Sequence, residues 1–279
     1  MSKKRKILYT AGTHAGLILF ISFLLFPLFW LTVTSLKSTA EIYSGSARLW
    51  PQIISWTHYA SVVREEHILQ SIWNSFIVGI ISTIGSVALA LPASYALVRY
   101  KSRANNAVLG WILTSQIFPA ILLVIPLYVI LRNLHMTDSL YGLSLVYIVW
   151  SLPFVLWMLH GYMKGVPIEL EEAAMMDGAT TTQVLFRVLF PILLPAIGAS
   201  AVFSFVSSWN EFFFALVLLK RPDYITLPVE LAQYTGMEGQ ARTGPLAAAS
   251  VIATIPSLLV FIVMRRWFAS GLIAGAVKE

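Results

Sequence analysis

Six long apolar runs, at about 10–34, 71–98, 107–131, 142–163, 191–219 and 246–268, alternate with polar stretches along the chain. A helix needs about 20 mostly apolar residues to cross roughly 30 Å of hydrocarbon. The pattern therefore predicts an all-α membrane protein: six transmembrane helices forming a single domain over residues 1–279. Prolines interrupt most of the runs, at Pro27, Pro92, Pro119, Pro126, Pro153, Pro195 and Pro256. Lipid-embedded helices tolerate proline as a kink where neighbouring helices satisfy the freed carbonyls, so the runs read as a packed bundle.

The polar stretch between the fourth and fifth runs stands apart. It holds Glu169, Glu171, Glu172 and Asp177, four of the chain's 13 acidic residues. Pro167 suits the first position of a helix, where no backbone N–H is needed, and glutamates near that end favour the helix dipole. Gly178 reads as the stop, and Thr180 with Gln183 as a capping box opening the next helix. The expectation is a short helix over about 167–178, a glycine turn and a new helix: an exposed elbow. Taken alone, its acidic residues are equally the solvated face of an ordinary loop. The other polar connections are 35–70, with Trp50, Pro51 and Trp56; 132–141; and 220–245, with Gly236, Gly239 and Gly244. The last is either a mobile surface loop or a probe for an external partner.

Composition supports the membrane reading, with 58% hydrophobic and 11% charged residues. Zero cysteines exclude disulfides, thiolate metal sites and cysteine nucleophiles. The net charge of +6 does not point to nucleic acid, because the basic residues flank apolar runs as topology determinants do. With the N-terminus inside, the inner set is Lys3, Lys4, Arg5, Lys6, Arg99, Lys101, Arg103, Lys164, Arg187, Arg265, Arg266 and Lys278, twelve against seven outside. Both termini and the elbow are then cytoplasmic. The N-terminal run is too long for a signal core and lacks a small-x-small cleavage site, so it reads as a retained first span.

No enzyme constellation is present: no phosphate loop, no H-E-x-x-H, no G-x-S-x-G and no clustered His/Cys ligands. Any nucleotide hydrolysis belongs to another chain. Polar groups within the runs are costly in lipid unless they face a partner or a water-filled path. His14, Asn74 and His160 read as interhelical hydrogen-bonding groups, and Gln116 fits either role. Trp209, Asn210 and Glu211, beside Phe212, Phe213 and Phe214, mix apolar faces with hydrogen-bonding groups and would suit a polyhydroxylated solute; alternatively the phenylalanines face lipid. A rival function is an ion-coupled secondary transporter with Glu211 as proton carrier, but six spans without an inverted repeat make a small body for one, and the elbow would go unexplained.

At the elbow a family resemblance becomes specific. Glu172-Ala173-Ala174, three residues, Gly178, nine residues and Val188-Leu189-Phe190-Pro191 resembles the E-A-A-x3-G-x9-I-x-L-P motif of ABC importer permeases, with Val for Ile and Phe for Leu. Asn74-Ser75, Trp209-Asn210-Glu211-Phe212 and the tail 271–278 resemble the carbohydrate-uptake branch, to which the maltose permeases belong. The resemblance implies a type I ABC importer permease with a cytoplasmic coupling helix between helices 4 and 5, in a bacterial inner membrane. It implies a second homologous permease chain, two ATPase subunits that carry ATP and Mg, an extracytoplasmic solute-binding protein and a sugar-type solute, with no cofactor on this chain. Glu171, Glu172, Ala173, Ala174, Asp177, Gly178 and Pro191 are then expected to couple to the ATPase. Asn74, Trp209, Asn210, Glu211 and Phe213 would line the substrate path, and Gln233, Tyr234, Gly239 and Gln240 would meet the binding protein.

Overall fold

The computed structural model describes residues 3–44, 48–64, 67–100, 102, 104–236 and 242–276, and these form helices and connecting turns with no strand. They divide into two compact units, residues 1–68 with 231–255, and residues 69–230 with 256–279.

The first unit begins with α1 (Lys3–Ser35), whose stretch Gly12–Ser35 is long and apolar enough to cross a membrane. The expected polar connection after it contains two short helices, α2 (Thr39–Tyr43) and α3 (Thr57–Arg64). The Ser38 hydroxyl caps α2 by accepting from the Glu41 N–H at 3.2 Å. Buried Lys37 donates through Nζ to the Arg48 carbonyl at 2.6 Å and sits 4.9 Å from the centroid of the Trp30 ring. The Ser55 N–H donates to the Leu36 carbonyl at 2.8 Å. The connection is thus sewn to the end of α1 at both Arg48 and Ser55.

In the second unit, α4 (Ile68–Arg99) continues as a 32-residue helix. The apolar run 107–131, expected as one span, is instead α5 (Ala104–Ser115) and α6 (Ala120–Asn133), bent by 98° at residues 116–119. Pro119 explains the break: it offers no N–H to the preceding turn and keeps Phe118 out of helical geometry. Counted as one span, this pair brings the total to six. Next come α7 (Leu140–Lys164), α8 (Glu169–Met176), the short turn α9 (Thr181–Gln183) and a six-residue π-helix, Val184–Leu189. The π-helix runs into α10 (Phe190–Trp209). The run 191–219 is also interrupted, because α10 ends at Trp209 and α11 (Phe213–Leu218) starts afresh. α12 (Leu227–Gln233) and α13 (Thr243–Ala276) complete the order.

Two apolar cores hold the second unit together. One joins Leu91 and Tyr95 of α4, Leu156, Leu159 and Met163 of α7, the π-helix and the first turns of α10. The other joins Val78 of α4, Val124 and Leu131 of α6, Leu143 and Tyr147 of α7, and Phe214 and Leu218 of α11. Between them in sequence on α4, α7 and α10 lie buried serines: Ser86 and Ser204 share a hydrogen bond of 3.0 Å, and Ser204 donates to Ser151 at 3.3 Å. Small hydroxyl residues let helices approach closely while keeping each polar group partnered inside the hydrocarbon zone.

Candidate functional site

The elbow is built from local signals and one long-range ion pair. Pro167 does not occupy the first helical turn; it precedes the N-cap Ile168, and α8 begins at Glu169. The expected extent of 167–178 therefore shortens to two turns plus a closing loop. Asp177 is the C-cap, the Gly178 N–H donates to the Met175 carbonyl at 3.0 Å, and the Ala179 N–H donates to the Ala174 carbonyl at 3.0 Å. This pair of bonds is the Schellman arrangement, which needs a left-handed residue at Gly178, where φ is +85°. One residue later the capping box forms: the Gln183 N–H donates to the Thr180 hydroxyl, and the Thr180 N–H donates to the Gln183 side-chain oxygen at 2.8 Å.

The acidic residues of α8 separate by direction. Glu171 turns inward, 3% exposed, and accepts from Nε of Arg99 at 2.6 Å. The same guanidinium donates through a terminal nitrogen to the Val166 carbonyl at 2.9 Å. Arg99 ends α4, so it clamps the start of the elbow to that helix. Glu169, Glu172 and Asp177 stay exposed. The alanines divide as well: Ala174 packs against the core, while Ala173 faces out beside Ile168, Leu170 and the 88%-exposed Met176. At the far end Pro191 lies in the first turn of α10, and its missing N–H is matched by the widened π-helix before it, where the Phe190 N–H reaches back to the Leu185 carbonyl.

The residues expected along a substrate path occupy the break after α10. Trp209 is buried, with its ring 5.7 Å from that of Phe205. Asn210 is the C-cap of α10; it is exposed and donates through its amide to the Val206 carbonyl at 2.8 Å. Glu211 takes a structural position. Its carboxylate accepts from the N–H groups of Phe214 at 2.9 Å and Ala215 at 3.2 Å, opening α11, and from the Tyr147 hydroxyl at 2.5 Å. Negative charge at a helix start is favoured by the dipole, so the break places a carboxylate where the fold itself uses it. Phe213 is exposed. Asn74 is buried elsewhere: its amide donates to the carbonyls of Asp223 and Ile225 at 2.9 Å each and its oxygen accepts from Gln70 at 3.2 Å, so it stitches α4 to the 222–226 turn. Gln116 donates to the Trp150 carbonyl across the α5–α6 bend. His14 bonds to the Thr10 carbonyl of its own helix, and His160 is buried in α7.

Of the residues expected to meet an external protein, Gln233 is exposed and Tyr234 is not. The Tyr234 ring is 2% exposed, its carbonyl accepts from the Arg242 N–H at 2.9 Å, and the Arg242 guanidinium lies 5.7 Å from its centroid. Tyr234 closes the base of the loop instead of presenting a surface. Gly239 and Gln240 lie outside the described residues. Arg99 and Tyr147 are the functional partners that sequence reasoning misses. Arg99 carries a weak signal as a lone cation at a span end, and Tyr147 carries none.

Comparison with known proteins agrees with this architecture. The diacetylchitobiose uptake system permease protein of Streptomyces coelicolor is 35% identical over 94% of this chain and 95% of its own. The trehalose transport system permease protein of Mycobacterium tuberculosis is 33% identical over 93% of this chain and 94% of its own. A crystal structure of a bacterial ABC transporter involved in import of the acidic polysaccharide alginate covers 96% of this chain and 99% of its own with a TM-score of 0.79, at 24% identity, which bears on the fold. Residues 86–273, which include the whole elbow and the break at Glu211, match one family, and the chain belongs to it: the binding-protein-dependent transport system inner membrane components.

Proposed function

We propose that the chain is the transmembrane permease subunit of an ATP-driven ABC importer that moves a sugar or related polyol from an extracytoplasmic binding protein into the cytoplasm by alternating access. It pairs with a second homologous permease, and two ATPase subunits holding ATP and Mg dock on the elbow. The lysine and arginine distribution sets both termini and the elbow on the cytoplasmic side of a bacterial inner membrane. The sugar class rests on relatives that are permeases of diacetylchitobiose and trehalose systems.

The observation that carries this reading is the two-sidedness of α8. Its inner side is fixed by the Arg99–Glu171 pair and by Ala174 against the core, while its outer side offers Glu172, Ala173, Met176 and Asp177. A helix held this way transmits displacement instead of absorbing it: motion of a docked ATPase reaches α4 through Arg99 and α10 through the capped turn. Gly178 and Pro191 shape the return into the membrane. Glu171 is a positioning residue in this scheme, and Glu172, Ala173 and Asp177 make the contact. Such coupling requires two global arrangements that nucleotide binding biases. Asn210 and Phe213 border the solute path, with Trp209, Glu211 and Asn74 holding the frame around them. Gln233 and the loop after it, including Gly239 and Gln240, face the binding protein.

The test is to purify the complex that assembles on this chain, add its binding protein and measure ATP hydrolysis with a panel of disaccharides and polyols. Stimulation by one of them, lost on Glu172→Arg, is the expected result. Uptake into vesicles by this chain alone, driven by an ion gradient, would overturn it.

A further inference from the structure

The connection after α1 carries an apolar strap that the transport reading leaves without a role. Residues 48–56 form neither helix nor strand, yet Trp50 is 66%, Ile53 76% and Trp56 65% exposed, with Leu49 and Ile54 also exposed. An extended segment showing so much apolar surface to water would be unfavourable at roughly 25 cal/mol per Å2 of apolar area. Its height along α1 says where it sits. The Lys37–Arg48 and Leu36–Ser55 hydrogen bonds pin both ends of the strap to the last turn of α1. The Trp50 ring stacks on Phe29, with centroids 6.3 Å apart. Phe29 precedes the helix end at Ser35 by about 9 Å at 1.5 Å per residue. That residue belongs to a span whose side chains from Leu17 to Phe29 are exposed in the same way.

We propose that residues 48–56 lie in the lipid–water boundary at the C-terminal end of α1 and anchor that end in the bilayer, with lipid as the partner of Trp50, Ile53 and Trp56. The exposed apolar surface of the strap continues that of the spanning helix, and its two tryptophans are the residue type that favours the headgroup level. The open cleft of about 760 Å3 beside the strap joins Glu41, Arg48 and Gln52 to Ile53, Ile54 and Trp56, a mixture of polar and apolar groups that matches the layer where headgroups meet acyl chains. Lys37 is drawn away from lipid by its bond to Arg48 and its place over Trp30. It fixes the strap at that depth.

The absence of cysteine makes the test direct. Ile53→Cys and Trp56→Cys, with Ile21→Cys as a mid-span reference, are spin-labelled in the complex as it purifies, with cysteines of co-purifying chains replaced, and reconstituted in phospholipid vesicles. The expected result is that labels at 53 and 56 collide more with oxygen than with a water-soluble nickel chelate, at a depth shallower than the label at 21. Free collision with nickel would place the strap in water, and exclusion of both reagents would mean that a protein covers it; either result overturns the proposal. Retained assembly on size exclusion and agreement between the two labels guard against a local artefact of either substitution.

Discussion

Nε of Arg99 lies 2.6 Å from Oε1 of Glu171, joining the last residue of α4 to the third of α8 across 72 positions of sequence. The carboxylate is buried and the guanidinium nearly so, at 13%. Removing one partner of a buried pair leaves the other uncompensated, at a cost of about 3–5 kcal/mol. Glu171→Ala is therefore expected to lower the thermal unfolding midpoint of the purified complex markedly. Glu172→Ala, one residue on and exposed, leaves the midpoint unchanged and lowers sugar-stimulated ATP hydrolysis. Equal midpoints for the two variants would contradict the inward role of Glu171.

Gly178 separates backbone shape from crowding. Nothing lies within 4 Å of where a Cβ would stand, so space is available and only the φ of +85° resists a side chain. A left-handed conformation costs ordinary residues about 1–2 kcal/mol, and Asn less. Gly178→Asn should keep the turn and most coupling in the free complex, whereas Gly178→Val should open the Schellman bonds and uncouple hydrolysis from uptake. If both variants fail alike, the partner surface, and not the turn, demands glycine.

The Tyr147–Glu211 contact predicts which substitutions matter at the break after α10. Hydrogen bonds to charged groups contribute about 1.5–3 kcal/mol, so Tyr147→Phe should destabilise the complex by that order, measured by denaturation in detergent. Glu211→Gln keeps an oxygen for the N–H groups of Phe214 and Ala215 and should retain more uptake than Glu211→Ala. Uptake in ATP-loaded vesicles should continue when an uncoupler collapses the proton gradient. Loss of uptake under those conditions would revive the proton-carrier role.

His58 makes the first unit acid-sensitive. Burial lowers its pKa below the ordinary 6.5, partly offset by a hydrogen bond to the Lys37 backbone. The unfolded chain then binds a proton at higher pH than the folded one, so stability falls as pH drops through about 6.5 and levels off below the folded value. The decline in melting temperature over that window should be smaller in His58→Gln. The imidazole also abuts Gly244 at the start of α13, where an added Cβ would meet Nε2 and Cε1. Gly244→Ala is expected to cost about 1–3 kcal/mol through overpacking, and the pair His58→Ser with Gly244→Ala should recover part of it.

What the chain reveals without coordinates is mostly local. Thr180 and Gln183 stand three residues apart and form their capping box, and Gly178 occupies the turn that its lack of a Cβ suits. Apolar run length locates the helices that are continuous. The two broken runs escape because hydropathy does not distinguish a straight 25-residue helix from two shorter ones: residues 107–131 stay apolar through a 98° bend, with Gln116 and Pro119 as the only hints. The inward turn of Glu171 and the capping role of Glu211 escape for another reason. Their partners, Arg99 and Tyr147, lie 72 and 64 residues away and meet them only once the helices pack. Pro167 illustrates a local signal read one step too far, since its geometry suits the approach to α8 as well as the first turn.

The π-helix between the elbow and α10 gives the nine-residue interval from Gly178 to Val188 an angular meaning. Each residue of an α-helix turns the chain by about 100°. Deleting one residue from Val184–Leu189 would restore an ordinary repeat while rotating everything before it against everything after. The exposed side of α8 would then point toward a different quadrant from the one set by Pro191. The widened turn therefore acts as a phase setting: the number of residues matters there even where their identities do not, and Val and Phe can stand for Ile and Leu without disturbing the heading of the elbow.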